Sequence, residues 1–297
     1  MTRYIEPATA IFTGASGNRL IADVFGDSGP IVLLLHGGGQ TRHAWRETAE
    51  RLARAGMVAY ALDQRGHGDS DWITDARYTF KDFAADVAAV ATALAKRDPR
   101  GPIVIGASLG GVAALLAEGG AEREAGRPLF SALILVDVTP RVDMGGVNKV
   151  QSFMRAHARE GFATVAEAAD AVAEYLPHRP RPRSEGGLKK NLRLHPDGRW
   201  RWHWDPRFLE GPSPINMQRN VIETELVEAA RRIEIPALLV RGASSELVKE
   251  AHAQEFLDLV PHAEYVDVAG ARHMVAGDRN DQFGDVILDF VGRLDAA

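Results

Sequence analysis

Gly106-Ala107-Ser108-Leu109-Gly110-Gly111 follows directly on the apolar run Pro102-Ile103-Val104-Ile105 and leads into Val112-Ala113-Ala114-Leu115-Leu116-Ala117. A serine set among small residues where a buried strand hands over to a buried helix has the pattern of a nucleophile elbow. Such a turn is sharp and its backbone strained, so the positions two before and two after the serine have room only for small residues, which Gly106 and Gly110 supply. The helix behind the turn would direct its N-terminal dipole at negative charge developing beside Ser108. The stretch therefore predicts acyl transfer. On its own G-x-S-x-G is a short pattern in a chain with 29 glycines, so its reading depends on what surrounds it.

Upstream, Ile31-Val32-Leu33-Leu34-Leu35 reads as a strand buried on both faces and ends in His36-Gly37-Gly38-Gly39-Gln40. Glycines there let backbone N–H groups approach a tetrahedral oxyanion closely. Gly38 is the first candidate donor with Gly37 beside it, and the N–H of Leu109, directly after the serine, is the second. Downstream, the strand-like run 263–268 precedes Ala269-Gly270-Ala271-Arg272-His273-Met274, which puts His273 on a loop near the C-terminus. Serine before histidine is the chain order that this kind of site requires.

With Asp63-Gln64-Arg65-Gly66-His67-Gly68-Asp69-Ser70, which is similar to a D-x-R-G-x-G-x-S loop, these stretches resemble the α/β-hydrolase family over nearly the whole chain. The resemblance implies an α/β fold, with a mostly parallel central sheet flanked by helices and a helical cap inserted after the sixth strand. It also implies that Ser108 is the nucleophile and His273 the general base, while His36 and His67 serve their loops structurally. In many members the acid of the triad lies in a G-x-x-D-x-x-V pattern. Here Arg241-Gly242-Ala243-Ser244-Ser245-Glu246-Leu247-Val248 puts Ser245 at that position, and a serine carries no charge. Glu246, one residue on, is one candidate. Other members keep the acid at the end of the strand after the nucleophile helix, where Leu133-Ile134-Leu135-Val136-Asp137 ends in an aspartate. Asp137 is the favoured acid and Glu246 the alternative.

A serine at position 108 separates the chain from members that form an ester intermediate on an aspartate, the epoxide hydrolases and dehalogenases. The resemblance implies a serine hydrolase acting through an acyl-enzyme on a small carboxylic ester or a related amide. Cofactor-free perhydrolase (haloperoxidase-like) and carbon–carbon bond hydrolase activity are alternatives on the same triad. A small-molecule receptor with vestigial turnover is the reading from another class.

Length and composition agree with one large core carrying an insertion, at 297 residues and 45% hydrophobic content. A net charge of -5 argues against a nucleic-acid partner. The absence of cysteine removes disulfides, thiolate nucleophiles and zinc fingers, and no His/Asp/Glu cluster has metal-ligand spacing, so neither metal nor cofactor is expected. The first seven residues lack the apolar core of a signal peptide and no later run is long enough to span a bilayer, which makes a cytoplasmic protein without membrane contact the expectation. Nothing in the sequence sets the oligomeric state.

Strands are expected at 9–13, 20–25, 31–35, 58–62, 103–105, 132–136, 237–240 and 265–268, alternating from the third onward with helices at 44–55, 80–95, 110–117, 251–259 and 282–294. The alternation breaks after Asp137 and restarts at Ile233-Glu234-Ile235-Pro236. The chain divides accordingly into a core, 1–140 and 221–297, and a lid, 141–220, with amphipathic helices at 147–158 and 165–176. In the lid, His178-Arg179-Pro180-Arg181-Pro182-Arg183 is a basic link that either is solvated or attracts a substrate carboxylate through Arg179, Arg181 or Arg183. Trp200, Trp202 and Trp204 alternate strictly, which aims three indoles to one side of an extended segment, either to glue the lid to the core or to wall a substrate pocket together with Trp45.

Overall fold

The computed structural model of the chain describes residues 6–120, 127–179, 181, 185–217 and 219–294. The chain opens with an antiparallel pair, β1 (Ala8–Thr13) and β2 (Arg19–Phe25). β3 (Ile31–Leu35) follows, then a 3-10 turn at Arg42–Trp45, α1 (Arg46–Arg54) and β4 (Val58–Leu62). α2 (Phe80–Leu94) starts at a reciprocal cap between Thr79 and Asp82, and leads to β5 (Ile103–Ala107), α3 (Leu109–Gly119) and β6 (Ala132–Val136).

Between β6 and the next strand of the main sheet lie α4 (Met144–Ala156), α5 (Val165–Tyr175), α6 (Glu185–Lys189), a separate hairpin of β7 (Leu192–Leu194) and β8 (Trp200–Trp202), α7 (Arg207–Glu210) and α8 (Arg219–Arg231). The sheet then resumes with β9 (Ala237–Gly242), α9 (Glu250–Leu259), β10 (Glu264–Val268), α10 (Val275–Asp278) and α11 (Asn280–Leu294). Strand order in the main sheet is β1-β2-β4-β3-β5-β6-β9-β10, and every pair from β4 to β10 is parallel.

Every residue of β3, β4 and β6 is buried, because helices cover both faces of the sheet. Alternate side chains feed two separate cores. Leu33, Leu35, Tyr60, Leu62, Val104 and Leu133 meet α2, α3 and α8, whereas Val32, Leu34, Ala59, Ile105 and Ile134 meet α1 and α11. Truncating a fully buried member such as Leu34 to alanine would cost about 2–5 kcal/mol.

The expected strands and core helices form with ends shifted by at most a few residues. The segment after β6 holds more order than its sequence suggested. The tryptophan stretch is one arm of a hairpin, and α8 fills the run before Ile233, where no element was expected. No helix among the described residues is long and apolar enough to cross a membrane.

Candidate active site

The parallel strands β5 and β6 end side by side, and both continue into a residue forced to positive φ: Ser108 at 47° and Asp137 at 49°. At the first of these turns the glycines fit because nothing larger would. A Cβ on Gly106 would lie 2.6 Å from the Gly110 carbonyl carbon, and one on Gly110 would lie 2.4 Å from the Leu35 carbonyl oxygen. The strand, the Ser108 turn and α3 are thereby packed backbone against backbone, as the sequence pattern predicts. Leu109 opens α3, so its N–H has no acceptor within the helix.

Asp137 is fully buried and its carboxylate is closely surrounded by donors. Gly242 N–H donates to Oδ1 at 3.0 Å, while the Ser245 hydroxyl donates to Oδ2 at 2.6 Å. His273 Nδ1 meets the same Oδ2 at 2.7 Å. A buried carboxylate fixes the proton on Nδ1, which leaves the Nε2 lone pair as the basic site of the ring. Ser108 and His273 face a common cavity of about 520 Å³, which Asp137 also borders.

Of the two candidate acids, the structure places Asp137 on His273. Glu246 lies beside α4 and near Tyr175 of α5, its Oε2 is buried with no hydrogen-bond partner among the described residues, and it does not border the cavity. Burial, and after it the Glu246 charge, push the Tyr175 phenol up to about 12. Ser245, set aside in the sequence for want of a charge, holds the Asp137 carboxylate, and its Oγ also accepts from the N–H groups of Leu247 and Val248, at 3.1 Å each. The signal was its place at the D position of the G-x-x-D-x-x-V pattern.

The loop after β3 is shaped by two neutral histidines. His36 Nδ1–H donates to Gly37 O at 2.8 Å and its Nε2 accepts from Gln64 N–H at 3.1 Å. His67 Nδ1–H donates to Arg65 O at 2.9 Å and its Nε2 accepts from Gly39 N–H at 3.1 Å. Complete burial lowers His36 to about 4, and burial with the neighbouring His36 lowers His67 to about 3. Gly37 N–H is engaged by the Gln40 side chain at 3.0 Å. Gly38 N–H alone of the three glycines has no acceptor among the described residues, and Gly38 borders the cavity beside Leu109.

The segment between β6 and β9 roofs the cavity. Met154 of α4 rests against Gly39, where an added Cβ would meet its Cε at 2.8 Å. Trp202 lines the cavity while packing edge-on to Phe162, with centroids 5.2 Å apart. Trp204 lines it too, with its backbone bridged to His67 and its ring 6.2 Å from Phe208. Trp45 enters from the core side, buried and 6.0 Å from Phe283. Trp200 does not border the cavity: β8 runs past its edge, and Trp200 pairs with Phe162 instead. In the basic link, Arg179 reaches the cavity, Arg181 pairs with Asp170 on the surface at 2.7 Å, and Arg183 lies outside the described residues.

The doubly covered parallel sheet and a serine presented at a glycine-packed turn define a serine hydrolase of the α/β-hydrolase class. The family described as serine aminopeptidase, S33, matches residues 26–280, and the chain belongs to it. Among curated relatives, the esterase Rv0045c of Mycobacterium tuberculosis is 28% identical over 86% of this chain and 80% of its own length. The 2-(acetamidomethylene)succinate hydrolase of Mesorhizobium japonicum is 29% identical over 84% of this chain and 83% of its own. Among solved structures, an α/β hydrolase from Novosphingobium aromaticivorans superposes with a TM-score of 0.77 at 26% identity, covering 98% of this chain and 99% of that one. The crystal structure of an E-2-(acetamidomethylene)succinate hydrolase superposes with a TM-score of 0.80 at 24% identity, covering 96% and 99%, a likeness of fold.

Proposed function

We propose that the protein is a carboxylic-ester hydrolase working through an acyl-enzyme on Ser108. The observation that carries this reading is the 2.7 Å contact of His273 Nδ1 with the buried Asp137, on a cavity that His273 shares with Ser108. In the first half-reaction Ser108 Oγ attacks the ester carbonyl and its proton passes to His273 Nε2. Negative charge on the carbonyl oxygen is met by the N–H groups of Gly38 and Leu109 at the positive end of α3. The imidazolium, stabilised by Asp137, hands the proton to the departing alcohol. In the second half-reaction water gives its proton to Nε2 and attacks the acyl carbon, and the acid leaves as Ser108 recovers its proton.

The cavity walls are mainly aliphatic and aromatic, so the substrate is a small or medium ester with an apolar body, walled by Trp45, Trp202 and Trp204. Residues 141–220 act as a lid that excludes water during acyl transfer. The esterase named among the relatives supports the ester reading, whereas the family description and the second relative's name support an amide-type bond as the second reading.

The test is turnover of a panel of aryl esters and anilides by the native chain, Ser108→Ala, Asp137→Asn and Glu246→Gln. Ser108→Ala and Asp137→Asn are each expected to lose on the order of 10⁴-fold in kcat, with Glu246→Gln close to native. Turnover that survives Ser108→Ala would end the proposal. Faster anilide than ester cleavage would move it to the second reading.

A further inference from the structure

The lid reaches the loop of the candidate base chiefly through the Arg179 side chain. Arg179 follows α5, where its N–H donates to Leu176 O at 2.9 Å to close a turn. Its guanidinium crosses to the loop that carries His273. Nε donates to Asp278 Oδ1 at 2.5 Å and Nη2 donates to Met274 O at 3.1 Å. The other oxygen of the same carboxylate, Oδ2, accepts from Arg272 N–H at 2.8 Å. The residues immediately before and after His273 are therefore held by the two halves of one ion pair, and only one half belongs to the core.

The pair is well placed to act. Asp278 is almost wholly buried, its side chain 4% exposed, and an ion pair held out of water is weakened little by salt. Gly277 lets the guanidinium lie close to α10, since a Cβ there would stand 2.8 Å from Nη2. α10 is a single turn whose start, Met274 O, already accepts from the N–H groups of Gly277 and Asp278, so Arg179 reinforces the shortest element beside the site. His178 adds a second contact to Asp278 Oδ1 at 3.4 Å.

We propose that Arg179 is a positioning residue for His273, so that docking of the lid aligns the imaginary line from Ser108 Oγ through Nε2 and the enzyme is competent only when the lid is down. The inference rests on His273 being the general base. Asp137 fixes the ring through Nδ1, but the height of the ring over Ser108 depends on residues 272–274, where without Arg179 the Asp278 carboxylate keeps only its bond from Arg272 N–H and Met274 O keeps only the backbone bonds of the short α10 turn. A small misplacement of a base is costly, since a shift near 1 Å forfeits on the order of 10²-fold in rate.

The experiment compares the native chain, Arg179→Ala, Arg179→Lys and Ser108→Ala on a neutral aryl ester, with and without added guanidinium ion. Arg179→Ala is expected to lose on the order of 10²-fold in kcat with KM within about threefold. Guanidinium ion should recover part of the loss in Arg179→Ala and nothing in the native enzyme, and Arg179→Lys should fall between. The low-field proton resonance of His273 Nδ1–H should broaden in Arg179→Ala while the melting temperature moves little. A kcat within threefold of native, or a loss confined to KM, would overturn the proposal, the second outcome making Arg179 a substrate contact. Turnover untouched in Ser108→Ala would instead overturn the underlying mechanism, so the two failures are separable.

Discussion

Asp137 accepts three side-chain or backbone hydrogen bonds on two oxygens, and the Ser245 hydroxyl and the His273 ring share one of them. A charge-assisted hydrogen bond of this kind is worth about 1.5–3 kcal/mol, so Ser245→Ala should lower kcat by roughly tenfold to a hundredfold while leaving KM near native. Because Ser245 already touches the oxygen that His273 uses, the double variant Asp137→Ala, Ser245→Asp is expected to recover at least tenfold of the kcat lost in Asp137→Ala alone. Steady-state kinetics on one aryl ester checks both, and failure of the double variant to exceed Asp137→Ala would mean that the Ser245 position has no line to the ring. Ser108 and His273 stand out in the sequence as candidates because each is flagged by local residues, the glycines around the one and the strand and loop before the other. Which carboxylate meets His273 could not be read to one residue, because Asp137 and Glu246 both follow strands at the same sheet edge and only the folded sheet brings one of them to the ring. Gly37 illustrates the same limit, since its sequence suits an oxyanion donor but its N–H is taken by Gln40, three residues on.

The segment between β6 and β9 is fastened unequally. Its later part is locked to the core by Asp205, a buried carboxylate that accepts from Tyr78 Oη at 2.6 Å and pairs with Arg207 at 2.7 Å. Burial, followed by the hydrogen bond to Asp205, pushes the Tyr78 phenol well above its ordinary value. Phe208, in the next turn, packs 5.1 Å from His67 and 5.8 Å from Phe83. Its earlier part, α4 and α5, leans on polar ties such as Arg179 to Asp278 and Lys249 to Asp143. Motion of a lid would accordingly pivot on the β8–α7 end. Asp205→Ala should destabilise the protein by about 2–3 kcal/mol, read from urea unfolding, because it strands the buried Tyr78 hydroxyl. The amphipathic helices here were legible from their periodicity, as was the extended character of the tryptophan stretch. The β7 partner was not, for three residues carry too little pattern, and α8 was hidden by its charged surface positions. Strict alternation also overreached at Trp200, because it tells which side of a strand a residue takes but not where the strand leaves the cavity.

Across the whole molecule, the two cores close over His36 and His67, both held neutral. Their pKa values in the folded protein, about 4 and about 3, lie below the 6.5 of an unfolded chain. The unfolded state therefore binds more protons between those limits, and stability contributed by the neutral rings is complete above pH 6.5 and is lost as the pH falls toward 3. Each ring adds up to about 1.4 kcal/mol per pH unit within that window. Urea unfolding followed from pH 7 to pH 4 should show the slope, and His67→Gln should reduce it; an unchanged slope in the variant would assign the acid sensitivity to other groups. The sheet itself was the most legible feature, because strands buried on both faces must be continuous apolar runs and the turns between them carry their own glycine signatures.

The hydrogen bond between His273 and Asp137 spans 136 positions of the chain, and the histidine enters on the loop after β10, an edge strand paired only with β9. During synthesis from the N-terminus, Ser108 and Asp137 emerge long before His273 does. Under the proposed mechanism, a nascent chain that stops short of β10, however well its first strands are formed, would carry Ser108 without its base. On that mechanism hydrolytic activity would report the seating of β10 beside β9, not merely the folding of the strands that carry Ser108 and Asp137.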